Sequence, residues 1–405
     1  VQSARTEIPV FPFDASSTND IDDVYARLRT ENPVSRVALS GVPVWLVTRN
    51  EDVRFVLTDN RFSLAHSIDE GVPRLGTFAP QPGSLLASDP PEHTRLRKLA
   101  AKAFTVRRIE QLRPYVRRTS EELLERLARH HDSPVDLIEN FTAPLPIRVI
   151  CHILGVPETD QPLFREWTEK IASVSGTPAE EVQAGWRNME DYMAGLVNEK
   201  RHDPTDDLLS VLVSARDEDD KLSERELVQF GITLLAAGHE TTKNQITNSV
   251  LVLLRDYPEQ WRRLGADTEL IPGAVEELLR YVPLFGFDVT FPRVALEEVT
   301  VNGVTVGAGE TVLVALTSAN RDGDTFDAPG TLDVERVDNH HLAFGSGVHR
   351  CLGAQLAKIE LEVALEGLVR HFPRLETALD GTAPEWNTGS FIRSLRNLPV
   401  RWTTT

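Results

Sequence analysis

Apolar residues recur every three or four positions over most of the chain. The amphipathic runs at 21–29, 51–57, 92–104, 106–128, 181–200, 224–256, 274–281 and 352–371 predict helices. Strand patterns are few. Residues 44–47 predict a short apolar strand, and Val301-Asn302-Gly303-Val304 predicts the centre of a hairpin over 300–306, because Asn-Gly suits a type I′ turn. Residues 311–316 are the hairpin's expected neighbour. One segment breaks the pattern: 63–88 is rich in Gly and Pro, and Leu75, Phe78, Leu85 and Leu86 make it a lid with apolar side chains to present. No internal repeat and no low-complexity linker divides the chain. The expectation is one domain over 1–405, mainly α with a small β portion.

Charge and cysteine content narrow the partners. Acidic residues outnumber basic ones, 61 to 43, for a net charge of −18. Such a field repels phosphate, so no nucleic-acid partner is expected. The two cysteines, Cys151 and Cys351, are too few for a disulfide framework or a structural zinc site and point to the cytoplasm. Apolar runs such as 232–238 and 250–254 fall far short of the roughly 18 residues that span a bilayer, so no membrane anchor is expected. The first residues lack the basic and apolar regions of a signal peptide, and without an initiator Met the start reads as trimmed.

Two segments carry chemistry. In His341-Leu342-Ala343-Phe344-Gly345-Ser346-Gly347-Val348-His349-Arg350-Cys351-Leu352-Gly353 a glycine-rich loop delivers a cysteine to the start of a helix. Glycines permit tight backbone geometry and close approach of a flat ligand, and free N–H groups at a helix start favour a thiolate. A lone cysteine after a turn is usually just buried; the joint spacing of Phe344, Gly347, Cys351 and Gly353 makes that reading the poorer one. The second segment is the middle of the 224–256 helix, which opens with the capping box Ser223-Glu224-Arg225-Glu226. Its centre, Ala237-Gly238-His239-Glu240-Thr241-Thr242, is poor helix material and predicts a gap in the hydrogen-bond ladder that admits water or ligand. His239-Glu240 is no zinc-protease motif, since Lys243 stands where the second histidine is required.

Together these segments resemble the cytochromes P-450, the haem-thiolate monooxygenases, and the likeness runs over nearly the whole chain. The resemblance implies a cytochrome P-450 fold with a long central helix over haem b (iron protoporphyrin IX). It makes Cys351 the iron ligand, within a loop shaped by Phe344, Gly345 and Gly353. It implies that Ala237 and Gly238 leave room for O2, that Thr241 hydrogen-bonds the oxygen or its water, and that Glu240 feeds protons inward. His93 and Arg97, in a helix read as capped by Asp89, match contacts to the haem propionates, as do Arg293 and His349. Glu277 and Arg280, spaced Glu-x-x-Arg, match a structural pair of the family, with Arg336 as its third member.

The likeness also bears on partners and substrate. No flavin- or nicotinamide-binding motif is present, so electrons are expected from a separate ferredoxin and its ferredoxin reductase, reaching a monomer. Arg95, Lys98, Lys102, Arg107, Arg108 and Arg350 form the expected docking patch on the cysteine side. The distal pocket is expected from 63–88, 234–241, 283–290 and 390–392, presenting Leu85, Leu234, Leu284, Phe285, Phe287, Val289, Phe391 and Ile392, with Asp288 the one charge of the third segment. Such a lining suits a medium or large lipophilic substrate. The stretches at 281–284 and 290–293 are similar to those of actinomycete enzymes that tailor polyketide antibiotics, by hydroxylation or epoxidation. A haem-thiolate peroxygenase or sensor, and a haem-free helical binding protein, are the rival readings. The first leaves Glu240 and Thr241 without a role, and the second leaves the cysteine loop to chance.

Overall fold

The computed structural model describes residues 8–13, 23–75, 80–130, 134–171, 177–219, 223–286, 289–388 and 390–403; Phe78, Phe287, Asp288 and the side chain of Lys102 lie outside the described residues. The chain opens with β1 (Val10–Phe11), α1 (Asp23–Glu31), β2 (Val34–Leu39), β3 (Val42–Val47), α2 (Asn50–Thr58) and β4 (Phe62–Ser63). A helical block follows: α3 (Glu92–Ala103), α4 (Val106–Glu110), α5 (Arg113–Leu127), then the short β5 (Val135–Asp136), then α6 (Pro144–Leu154), α7 (Gln161–Ile171) and α8 (Ala179–His202). It continues through α9 (Leu208–Asp219), α10 (Glu224–Arg255), α11 (Pro258–Ala266) and α12 (Ile271–Tyr281). The chain then returns to strands, β6 (Arg293–Ala295), β7 (Val299–Val301), β8 (Val304–Val306) and β9 (Thr311–Val314), before α13 (Leu316–Ala319), α14 (Ala354–His371), β10 (Glu376–Thr377) and β11 (Pro399–Arg401).

The helix α10 organises the block. Ser223 and Glu226 form the predicted capping box, and 32 residues at about 1.5 Å each give a helix of about 48 Å. From Asn244 to Leu253 every side chain is buried, because α6, α8 and α14 pack around it. Val250, Leu251, Leu365 and Leu368 are fully enclosed there, each contributing about 1.5–3 kcal/mol of burial. The ladder gap predicted near Gly238 does not form; the helix runs uninterrupted across 236–242. The surrounding core holds that turn helical against its propensity. The run 106–128, read as one helix, divides into α4 and α5, since Pro114 in the first turn of α5 lacks the N–H that would continue α4.

The β portion is a six-stranded sheet ordered β1-β2-β3-β9-β6-β4, with a separate β7–β8 hairpin and a three-stranded β10-β11-β5 sheet. The hairpin turn has φ of 46° at Asn302 and 76° at Gly303, as a type I′ turn requires. Its expected neighbour goes elsewhere. β9 pairs parallel with β3, Trp45 opposite Val312, and antiparallel with β6. All four of its residues are buried, and only a central position in the large sheet covers both faces.

The described parts of the 63–88 segment are held at both ends. Asp89 accepts from the Leu64 and Ala65 amides at 3.1 and 3.3 Å and from the Ser63 hydroxyl. Leu85 is buried in the helical core. Asp89 therefore does not cap α3, whose N-cap position is Pro91.

Candidate functional site

The cysteine loop is built by backbone hydrogen bonds. Cys351 N donates to Phe344 O at 2.9 Å and Arg350 N to Gly347 O at 3.1 Å, closing the loop on itself. Gly347 has φ of 71°, and a Cβ there would strike Leu57 O, so only glycine lets the loop seat against the end of α2. Gly353 precedes α14, and a Cβ on it would meet nothing within 4 Å. Glu276 of α12 ties the loop down, pairing with His341 Nε2 at 3.0 Å and with Lys358 of α14. The Phe344 ring lies 5.8 Å from Lys358 Nζ.

Cys351 is exposed, although protein surrounds its thiol closely enough for burial to raise its pKa. The Gly353 amide, Arg97 and Arg350 pull the pKa down, but burial outweighs them. The helix start was expected to favour a thiolate; α14 begins three residues later, beyond reach of its strongest field. A bound metal ion deprotonates a coordinating thiol regardless.

Around the loop stands a cradle of two arginines and two histidines. His93 is buried with both ring nitrogens unpartnered, and its ring centroid lies 4.2 Å from that of His349. Burial, then His349 and Arg97, lower the His93 pKa to about 4. Asp89 Oδ1 lies 3.9 Å from His349 Nε2. Arg97 donates to Arg350 O, which fixes α3 against the cysteine loop. Arg293 is 5% exposed, yet the one hydrogen bond of its guanidinium among the described residues goes to Phe291 O at 3.3 Å. Burial lowers its pKa to about 10, against the pull of Asp89. A buried guanidinium with most donors unused is costly unless an anion meets it. Two arginines and two histidines beside an accessible thiol fit the two carboxylates and the iron of haem. Asp89, whose carboxylate lies near His349, was legible in the sequence only as a helix cap.

The centre of α10 carries the second group of candidate residues. Ala237 is exposed although the flanking turns are buried, so an opening in the core reaches it. Gly238 does not share that opening: a Cβ there would lie 2.8 Å from Ile150 Cδ1, and the missing side chain makes room for α6 instead. Thr241 Oγ1 donates to Ala237 O at 2.7 Å, so its proton is committed to the helix and its lone pairs remain to accept. Glu240 is buried, paired with Lys243 Nζ at 2.6 Å and receiving Asn244 Nδ2 at 2.9 Å, while its Oε2 has no partner. Burial raises its pKa, but Lys243, His239 and the two hydrogen bonds outweigh that and hold the group below the usual carboxylate range. Asn244 and the pairing of Lys243, one turn along, escaped the sequence reading. His239, given no role there, bonds Thr168 Oγ1 at 2.9 Å and Leu235 O at 2.8 Å.

The structural residues meet as expected. Glu277 accepts from Arg280 Nη2 and Nε, both at 2.7 Å, and from Arg336 Nε at 3.0 Å. Asp333 N and Asn339 Nδ2 complete five donors on one carboxylate.

The apolar lining is redistributed. A cavity lies between Ser67, Arg74, Leu75, Thr290, Phe291 and Phe391. Phe391 stacks on Phe291 at 5.3 Å and tilts against Phe285 at 5.2 Å. Leu284 is half-buried, its carbonyl taken by Arg393 N, and Ile392 bridges Phe285 across the turn. Leu85 and Leu234 are committed to the helical core. Val289 is fully buried with Leu313 and Ala315 in the sheet's core, because its bridge to Ala315 turns it inward. Of the expected patch, Arg95 is neutralised by Glu92 and Glu226, whereas Lys98, Arg107 and Arg350 are exposed beside exposed Val106 and Val348.

Comparison with known proteins agrees with this geometry. The cytochrome P450 family model matches residues 11–180 and 169–394. The chain is 46% identical over 400 residues to nocardicin C N-oxygenase of Nocardia uniformis, covering 98% of this chain and all of that one. It is 45% identical to mycinamicin IV hydroxylase/epoxidase of Micromonospora griseorubida, covering 97% and 98%. The crystal structure of the LnmA cytochrome P450 hydroxylase of leinamycin biosynthesis, from Streptomyces atroolivaceus, superposes with a TM-score of 0.91 at 44% identity, covering 98% of this chain and all of that one. The glycine-lined cysteine loop, the cradle beside it and nearly full-length similarity lead to one conclusion: the chain belongs to the cytochrome P450 family and is a monooxygenase of it.

Proposed function

We propose that the chain inserts one oxygen atom from O2 into a lipophilic secondary metabolite, using haem b ligated by Cys351. The observation that carries this reading is the accessible Cys351 thiol beside Arg97 and the under-satisfied Arg293, His93 and His349. Thiolate-ligated haem supplies the oxygen-activating chemistry. The protein's task is to bind, orient and supply protons. Arg97, Arg293, His93 and His349 bind the two propionates and so fix the ring plane. Gly345 and Gly353 let the loop lie close to it. Glu240, held ionised by Lys243, takes protons from outside and passes them inward when the ion pair opens. Thr241, with its hydroxyl anchored to Ala237 O, accepts a hydrogen bond from a water at that point and so positions a proton.

The substrate is expected to be apolar and of medium or large size, because Phe285, Phe291 and Phe391 form a continuous aromatic wall. The relatives support this class: the mycinamicin enzyme is named for hydroxylation and epoxidation, the nocardicin enzyme for N-oxygenation. Electrons would come from a ferredoxin served by its reductase, docking on Lys98, Arg107, Arg108 and Arg350 around Val106 and Val348. Among the described residues no helix is long and apolar enough to cross a membrane.

The deciding experiment is the spectrum of the reduced protein under CO. A strongly red-shifted Soret band is expected for the wild type and for Cys151→Ala, whose thiol is fully buried and pushed up to about 12 by burial. Cys351→Ser should lose the band. Retention of the band by Cys351→Ser would overturn the ligand assignment.

A further inference from the structure

We infer that Arg165 of α7 decides whether Lys243 stays on Glu240 or moves to Glu139, so that the seating of α7 against the central helix controls when Glu240 can take up a proton. The inference rests on the proton-carrying role proposed for Glu240 and adds what opens its ion pair.

Two ties join α7 to the acid turn of α10. The first runs through Glu139, which lies in a single π-helical turn, Ile138–Thr142, packed along α10. Thr142 Oγ1 meets Thr247 Oγ1 at 2.7 Å, and Thr247 Oγ1 donates to Lys243 O at 2.8 Å, so the turn carrying Glu139 is fixed against the turn carrying Lys243. Arg165 grips the Glu139 carboxylate with both arms of its fork, Nη1 donating to Oε2 at 2.7 Å and Nη2 to Oε1. The second tie lies three residues on, along the same face of α7. Thr168 Oγ1 bonds Nε2 of His239 at 2.9 Å, and His239 is the neighbour of Glu240.

Lys243 is the shared cation. Its ammonium pairs with Glu240 Oε1 at 2.6 Å. It also acts on Glu139, whose pKa is held down by Arg165 first and by Lys243 as well, against the effect of burial. The two carboxylates differ in their need of it, since the Glu240 side chain is 8% exposed and that of Glu139 50%. Burial is the largest influence on Glu240 and raises its pKa; Lys243, His239 and Asn244 hold the group ionised against it. With Arg165 in place Glu139 is already neutralised, and the ammonium belongs to Glu240. Without Arg165, Glu139 is a bare carboxylate beside the same ammonium, with water to solvate the new pair. An exposed ion pair such as Arg165–Glu139 opens readily, so a displacement of α7 is enough to start the exchange. Lys243 keeps its proton and only changes partner. Glu240, left buried and uncompensated, takes a proton from water.

Infrared spectroscopy of the haem-loaded protein tests this without turnover, because a protonated carboxyl has its own C=O stretch and Glu240→Gln identifies the band. The wild type should show no Glu240 band between about pH 5 and pH 7. Arg165→Gln should gain it, a rise of at least about ten-fold in proton affinity, and Arg165→Lys should suppress it again. Adding Glu139→Gln to Arg165→Gln should also suppress it, since Lys243 then has no second carboxylate to join. A merely structural role of Arg165 gives no such rescue. These substitutions sit at the exposed end of the network, where the fold tolerates them. Absence of the band in Arg165→Gln, or its persistence in the double variant, would overturn the inference. Product yield per O2 in Glu240→Gln separates the two levels. A wild-type yield removes the proton-carrying role and the inference with it, while a lowered yield beside an unmoved infrared titration in Arg165→Gln removes the inference alone.

Discussion

Replacing Glu277 by Gln should cost the fold about 3–5 kcal/mol, the range seen when one partner of a buried ion pair is removed. The side chain keeps its shape, so packing is not the variable. Glu277 and Arg280 are both fully buried, and the carboxylate accepts five hydrogen bonds. Two of them, from Arg280 Nη2 and Asp333 N, end on Oε1 and survive if the amide oxygen takes that place. The other three end on Oε2, from Arg280 Nε at 2.7 Å, Arg336 Nε at 3.0 Å and Asn339 Nδ2 at 3.1 Å. An NH2 group there would point donors at donors. At about 1.5–3 kcal/mol for each charged bond the simple sum overshoots, because Arg336 reaches solvent and relaxes. Arg280 has no such escape. Its remaining bonds run to the carbonyls of Asn320, Pro329 and Thr331, and it would stay buried as an uncompensated charge. Since whole domains are stable by about 5–15 kcal/mol, the loss should show as a large shift in a urea melt followed by circular dichroism at fixed haem concentration. A loss below about 1 kcal/mol, or strict additivity with Arg336→Met, would refute the argument that charge rather than shape holds this junction.

Gly238→Ala should destabilise by about 1–3 kcal/mol through overpacking against Ile150, and adding Ile150→Val should recover part of it in the same melt. Glu360 in α14 is 1% exposed with an unpartnered Oε2, and burial pushes its pKa well up. Its neutral form is the folded one, so stability is fully present below the unfolded pKa near 4.3 and falls by about 1.4 kcal/mol per pH unit above it, until the folded pKa is reached. Glu360→Gln should flatten that slope in melts taken from pH 4 to 7; an unchanged slope would assign it to other groups. Thr241→Ala should release more hydrogen peroxide per O2 consumed, and equal product yield with wild type would give the proton-positioning role to another group. Charge reversal at Lys98 and Arg350 should slow the first electron transfer from a ferredoxin steeply at low salt and little near 1 M, where the Debye length is about 3 Å; stopped-flow rates indifferent to both would place docking elsewhere.

Much of this molecule was written in local patterns. The long helix with its capping box, the Asn-Gly hairpin, the cysteine loop and the Glu-x-x-Arg pair depend on spacings of four residues or fewer, or on one loop's glycine content. Such features follow from propensity and backbone sterics, which adjacent residues set between themselves. Long-range packing settled the rest. β9 left its hairpin neighbour for the centre of the sheet, since four buried residues need cover on both faces. Gly238 faces Ile150 rather than open space because α6 packs closely against α10 there. Val289 went into the sheet's core through its bridge to Ala315, a partner 26 residues away.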